Sequence, residues 1–151
     1  IQALNHSQAP SAVQCIINPL NSAGAIGYVS EAFNPLAILS ECQQLDIPIL
    51  AIRAVQAGAL TSSMDRSPHE SGFDKSDFDD FDKAEPFRDL AIDWGESPAS
   101  LAHRYALSIK GVASVILGVK NRTELKECVE AEAKDLLSDS EIQQIENCLK
   151  G

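Results

Sequence analysis

The sequence predicts an α/β fold organised on a parallel sheet, and three observations carry that expectation. Ala12–Ile17, Pro48–Ile52 and Val112–Leu117 are short runs without charge, apolar but for Gln14, the pattern of strands, and Val112–Leu117 reads as one covered on both faces. Longer stretches with apolar residues at helical spacing lie between and after them. The passage from helix to strand around Asp46 takes only a few residues, the rhythm of βαβ units. Such units cross over right-handed and gather ligands at the C-terminal ends of their strands.

At 151 residues, 44% hydrophobic and 23% charged, the chain is one domain's worth with a sizeable core. A formal net charge of −10 argues against nucleic acid or an anionic membrane as partner. No apolar stretch approaches the ~20 residues of a membrane span. Cys15, Cys42, Cys128 and Cys148 are scattered, unlike a zinc site or a disulfide framework. They read as small buried hydrophobes or free thiols in a reducing compartment, so a cytoplasmic location is expected. His6, His69 and His103 share no metal-ligand spacing, and no metal is expected. The first residue is Ile and no signal pattern follows, so the chain reads as part of something longer.

Taken in order, Ile1–Gln8 reads as the end of a helix stopped by Pro10. In the first strand Gln14 is the one polar residue, and it needs a hydrogen-bond partner if buried. Residues 18–34 have loop composition, with Gly27 and Tyr28 among them. Asn34 caps a helix that Pro35 begins and that runs to Leu45, with Leu36, Ile38, Leu39 and Cys42 on its apolar face. The second strand follows. Residues 62–85 show neither helical nor strand period, and Asp65–Asp89 holds nine acids and four bases. This reads as a long, mobile acidic loop, parts of which dock through Phe73, Phe78 and Phe81. Pro86–Trp94 reads as a helix ended by Gly95. Ser97 and Pro98 start another, with Leu101, Ala102, Tyr105 and Leu107 inward and His103 at the surface. A last helix begins after Leu136, where Ser138 and Glu141 have the spacing of a capping box.

The stretch from Gly111 to Leu125 carries the chemistry. A strand, Gly118, and Asn121 as the cap of a helix from Arg122 would aim several backbone N–H groups at one point. A helix N-terminus attracts anions, phosphate especially, and Lys120, Arg122 and Lys126 add positive charge. The same turn occurs in αβ proteins that bind nothing there, and the dense glycine pattern of a P-loop is missing. Both readings stay open on these residues alone.

Four segments together resemble the aldo-keto reductases. Ser114-Val-Ile-Leu-Gly-Val-Lys-Asn-Arg-Thr-Glu-Leu125 is similar to that family's S-V-I-P-G-A-K/R-S/N-x-x-Q-L, with Leu117 in place of Pro and Glu124 in place of Gln; Cys128 stands where Asn is common. Val13-Gln14 followed by Asn18 is similar to V-Q-x-x-Y-N. Ile52–Thr61 is similar to A-Y-S-P-L-A-x-G-L-L-T, with Gly58, Leu60 and Thr61 matching and Ile52 in place of the aromatic. Leu90–Leu107 resembles L-A-x-E-x-G-x-S-x-A-Q-L-A-L-x-W-x-L, a packing motif.

The resemblance implies a (β/α)8 TIM barrel of which this chain is the C-terminal part, the last three βα units plus C-terminal helices. It implies an NADP-dependent reductase of aldehydes or ketones. Gln14 would bond the nicotinamide carboxamide, and Ile52, Arg53, Gly58 and Leu60 would lie along nicotinamide and pyrophosphate. Leu117, Gly118, Lys120, Asn121, Arg122, Glu124 and Cys128 would hold the adenosine 2′-phosphate end of NADP(H). Arg53 could instead pair with the acidic segment that follows it. No position matches the family's catalytic Asp, Tyr, Lys and His, so no catalytic residue is assigned. The partners expected are a small carbonyl substrate and either the missing N-terminal half of the barrel or a second copy. The alternative is a non-catalytic αβ fragment acting as a cofactor-binding or assembly module.

Overall fold

The computed structural model describes residues 2–6, 8–26 and 34–150. Ile1, Gly27 and Tyr28 lie outside the described residues. Three strands, β1 (Val13–Ile16), β2 (Ile49–Ile52) and β3 (Val112–Val115), form one sheet in the order β1-β2-β3, with both pairings parallel. All three fall inside the runs the sequence predicts. Among the described residues six α-helices accompany them: α1 (Pro35–Gln44), α2 (Lys75–Lys83), α3 (Glu85–Asp93), α4 (Pro98–Ser108), α5 (Arg122–Glu132) and α6 (Asp139–Cys148). An incomplete parallel sheet with surrounding helices is consistent with part of a (β/α)8-type barrel.

The helix starts sit where cap chemistry places them. The side chains of Asn34, Ser97 and Asn121 accept N–H groups of the first turns of α1, α4 and α5. Ser138 and Glu141 close a full capping box on α6. Segment 2–6 differs from expectation: Gln2–Asn5 form turns rather than a helix end, though Leu4 is buried.

Two apolar clusters hold the elements. Val13, Cys15, Ile49, Ala51, Val112 and Val115 point to one face of the sheet and pack with Ile38, Leu39 and Cys42 of α1 and Ala106 of α4. Phe87, Ala91, Leu101, Tyr105 and Ile145 join α3, α4 and α6 around a second centre. The register puts Gln14, Leu50 and Ser114 on the opposite face. There Gln14 and Ser114 are exposed, and Leu50 is half-buried. The expectation that Val112–Leu117 is covered on both faces is therefore corrected: Ala113 and Ser114 are exposed and Ile116 is 46% exposed. Ser114 lies on the sheet face that also carries the exposed Gln14 of β1. A register shift opposite Ile49 and Leu50 steps over Ala113 and leaves it unpaired.

The acidic segment is the larger correction. Residues 75–83 are helix α2, not loop, and its inward positions are aspartates. Asp74 just before it, and Asp77 and Asp80 within it, are each 4% exposed, while Phe78 and Phe81 are only half-buried. A hydrophobic period misses this helix because its buried face is ionic. No helix among the described residues is long and apolar enough to cross a membrane.

Candidate functional site

The segments that leave β2 and β3 at their C-terminal ends meet helices α4 and α5 around a cavity of about 490 Å³. That volume suits a nucleotide-sized or drug-sized group. Gly58, Thr61 and Arg66 come from the first segment and Gly118 and Lys120 from the second. His103, Glu124, Glu127 and Cys128 come from the helices. Of the twelve residues that the sequence singles out, the cavity gathers Gly58, Gly118, Lys120, Glu124 and Cys128.

The other seven lie elsewhere. Gln14 is exposed on β1, and Ile52 ends β2. Leu60 is fully buried in the α3–α4–α6 core. Leu117 is exposed, and Asn121 and Arg122 sit at the start of α5 outside the cavity lining. Arg53 follows β2 in a left-handed conformation, φ 56°, and its Nη2 lies 2.9 Å from Asp77 Oδ1. This is an ion pair with the acidic segment.

The turn from β3 into α5 is already internally capped. Asn121 Oδ1 accepts from the N–H groups of Thr123 (2.9 Å) and Glu124 (3.0 Å). Glu124 in turn accepts from Lys120 N (2.7 Å) and from Asn121 Nδ2 (2.8 Å). Fewer backbone donors are open to an anion than the sequence suggests. The exposed charge here is Lys120, which pairs with Asp65 at the cavity. Both side chains are well exposed, at 66% and 46%, so the pair holds at most about 1 kcal/mol and yields readily to a doubly charged phosphate. Around this cavity Lys120 and Arg66 are set against the carboxylates of Asp65, Glu124 and Glu127.

His103 was not legible as a site residue. Sequence spacing places it at the surface, yet it is buried because α5 covers that flank of α4. Its Nε2 is 3.1 Å from Cys128 Sγ, and its Nδ1 has no hydrogen-bond partner. Burial lowers the imidazole pKa, opposed by the carboxylate of Glu127. Burial raises the Cys128 thiol, with Glu127 and Glu124 adding to it. The pair is neutral in the fold. Among the described residues no cluster of His, Cys, Asp and Glu could hold a metal ion.

The sequence profile described as "Aldo/keto reductase family" matches residues 2–150. No curated protein matches the sequence. Among solved structures, the glycerol dehydrogenase of Gluconobacter oxydans superposes with a TM-score of 0.65 at 19% identity. The match covers 91% of this chain and 42% of that one, so the chain spans less than half the length of that relative.

Proposed function

This chain belongs to the aldo/keto reductase family, and we propose that it supplies the cofactor-holding part of an NADP(H)-dependent reductase of aldehydes or ketones. In this reading the three βα units are the last three of the barrel. The cavity receives the adenosine-phosphate end of the nucleotide. The observation that carries it is the convergence of Gly58, Gly118 and Lys120, distant in sequence, on one cavity at the C-terminal ends of parallel strands. Gly118 leaves the approach open, since a Cβ there would meet nothing within 4 Å. Lys120 swings from Asp65 to the 2′-phosphate, and Arg122 at the first turn of α5 adds charge. The cofactor, when bound, supplies the hydride; these residues bind and orient it.

Charge-assisted contacts to the 2′-phosphate should each contribute roughly 1.5–3 kcal/mol. Lys120→Ala and Arg122→Ala should therefore weaken NADPH far more than NADH in calorimetric titrations. Equal losses for the two nucleotides would remove the phosphate assignment.

A second reading is an assembly module that needs a partner to complete its sheet. It is favoured by the exposed face bearing Gln14 and Ser114 and by the exposed apolar side chains of Ile116 and Leu117 beyond β3. Its partner would be the remaining part of a barrel or a second copy. Sedimentation of the chain alone, and mixed with the family's N-terminal half, separates those two.

A further inference from the structure

His103 and Cys128 line the cavity, yet the nucleotide reading gives neither of them a task. They come from different helices and meet because α5 docks along α4. His103 Nε2 stands 3.1 Å from Cys128 Sγ, and both residues are more than nine-tenths buried. The two also depart together from the family pattern given above, which has Leu at the first position and Asn at the second. A Leu would fill this wall at no polar cost. The imidazole instead leaves Nδ1 buried and without a hydrogen-bond partner among the described residues. Native interiors seldom keep such a group without a use for it.

No other thiol has a ring nitrogen beside it among the described residues. Cys148 is the most exposed of the four, and its Sγ donates to the Ile145 carbonyl at 3.1 Å. Cys15 Sγ lies 3.6 Å from the carbonyls of Ile16 and Pro35. Cys42 is fully buried against the sheet. A carbonyl accepts a hydrogen bond but does not take the proton, whereas a neutral imidazole does both. With the thiol as donor, Nε2 accepts and Nδ1 carries the ring hydrogen. At rest the proton stays on sulfur, because burial disfavours thiolate and imidazolium alike. It moves to Nε2 only as sulfur forms a new bond. The carboxylate of Glu127, next to Cys128 in the chain, then favours the imidazolium.

The chemistry open to this pair is narrow. Cys15, Cys42 and Cys148 do not line the cavity, so no second thiol stands ready for a disulfide. One thiol and one proton carrier are what a conjugate addition requires, and a neutral pair suits an uncharged reagent.

We propose that Cys128 is a covalent capture site for a small, uncharged, conjugated carbonyl compound entering the cavity, with His103 as the base of the addition. Sulfur bonds to the β-carbon, and the C=C π pair passes to the carbonyl as an enolate. The thiol proton goes to His103 Nε2 and from there to the α-carbon. Nothing is oxidised, reduced or expelled. Capture is slow beside the reaction of a free thiolate, but Cys128 is the first of the four thiols to undergo it. The inference does not rest on the nucleotide reading, because thiol and base are both in the chain.

The probe is N-ethylmaleimide at less than one equivalent, with the adduct located by intact mass and peptide mapping. Exposure alone directs it to Cys148, and the His103 pair directs it to Cys128. The first adduct should map to Cys128. His103→Gln keeps a polar side chain that cannot take a proton, and should slow that adduct about tenfold or more while Cys148 stays within about twofold. If that variant loses its fold, seen as all four rates rising together, the pH profile of the wild type decides. Attack from the neutral pair holds the Cys128 rate level from about pH 7 to about pH 8.5, whereas attack by free thiolate climbs about tenfold per pH unit. A first adduct on Cys148, a Cys128 rate unmoved by His103→Gln, or that climb in the wild type would each overturn the inference.

Discussion

His103 Nε2 on α4 lies 3.1 Å from Cys128 Sγ on α5, with both side chains lining the cavity and more than nine-tenths buried. Burial holds the His103 pKa below its ordinary 6.5, against the opposing pull of Glu127. The unfolded chain therefore binds this proton more readily than the fold does. Stability from the neutral imidazole is fully present above pH 6.5 and is lost as pH falls below it toward the folded pKa. Urea midpoints should drop between about pH 7 and pH 5 in the wild type, and less in His103→Leu. His6→Gln and His69→Gln, at exposed positions, should behave like wild type. An equal drop in His103→Leu would show that another group senses the acid.

The same pair makes a statement about reactivity. Burial raises the thiol pKa of Cys15, to about 11, and of Cys42, Cys128 and Cys148. Thiolate is the reactive form, so the native chain should react slowly with an aromatic disulfide reagent at neutral pH. All four equivalents should appear on denaturation. A fast native equivalent that Cys128→Ser removes would mean that His103 takes the thiol proton.

What was legible from sequence is what short-range chemistry decides. Asn34, Ser97, Asn121 and Ser138 cap helices where they were expected, because a cap depends on a few neighbouring residues. The three strands were legible as apolar runs bounded by breakers. Helix α2 was not. The buried Asp74, Asp77 and Asp80 repeat at helical spacing, but their partners, Arg53 and Arg66 for the first two and Gln56 and Ser22 for Asp80, lie outside the helix. His103 failed for a related reason, since only the docking of α5 buries it. Within the candidate site, Gly118 and Lys120 could be found from the local strand–glycine–helix order. The contribution of Arg66 depends on tertiary pairing and carried no local signal.

These distinctions assign magnitudes to substitutions. Ser138→Ala removes the acceptor of the α6 capping box and should cost about 1 kcal/mol. Phe87→Ala opens a fully buried site in the α3–α4–α6 core and should cost roughly 3–5 kcal/mol. Asp79→Ala breaks a contact of only 2.6 Å with Lys75, yet those side chains are 44% and 73% exposed. It should therefore cost less than about 0.5 kcal/mol. Chemical denaturation with an unchanged m-value checks all three. A cost above that of Ser138→Ala for Asp79→Ala would mean that the short contact is screened less than its exposure implies.

We predict that this chain by itself turns over aldehydes poorly even where it binds NADPH. Hydride arriving at a carbonyl leaves negative charge on oxygen, and a proton or an oriented hydrogen bond must meet it there. Tyr105 is the one tyrosine among the described residues. It is buried in the α3–α4–α6 core, outside the cavity lining, and its hydroxyl donates to Glu146 Oε1 at 3.1 Å. Burial, then the Glu146 carboxylate, pushes its pKa well above the usual tyrosine value, so its proton is held rather than offered. His103 lines the cavity, but Nε2 faces Cys128 and Nδ1 is buried. The assay is loss of NADPH absorbance with a panel of aldehydes, run on the chain alone and again after addition of the family's N-terminal half. Turnover should rise only on addition. Robust turnover by the chain alone, abolished by His103→Gln but not by Tyr105→Phe, would make His103 the acid and overturn the division of labour proposed above.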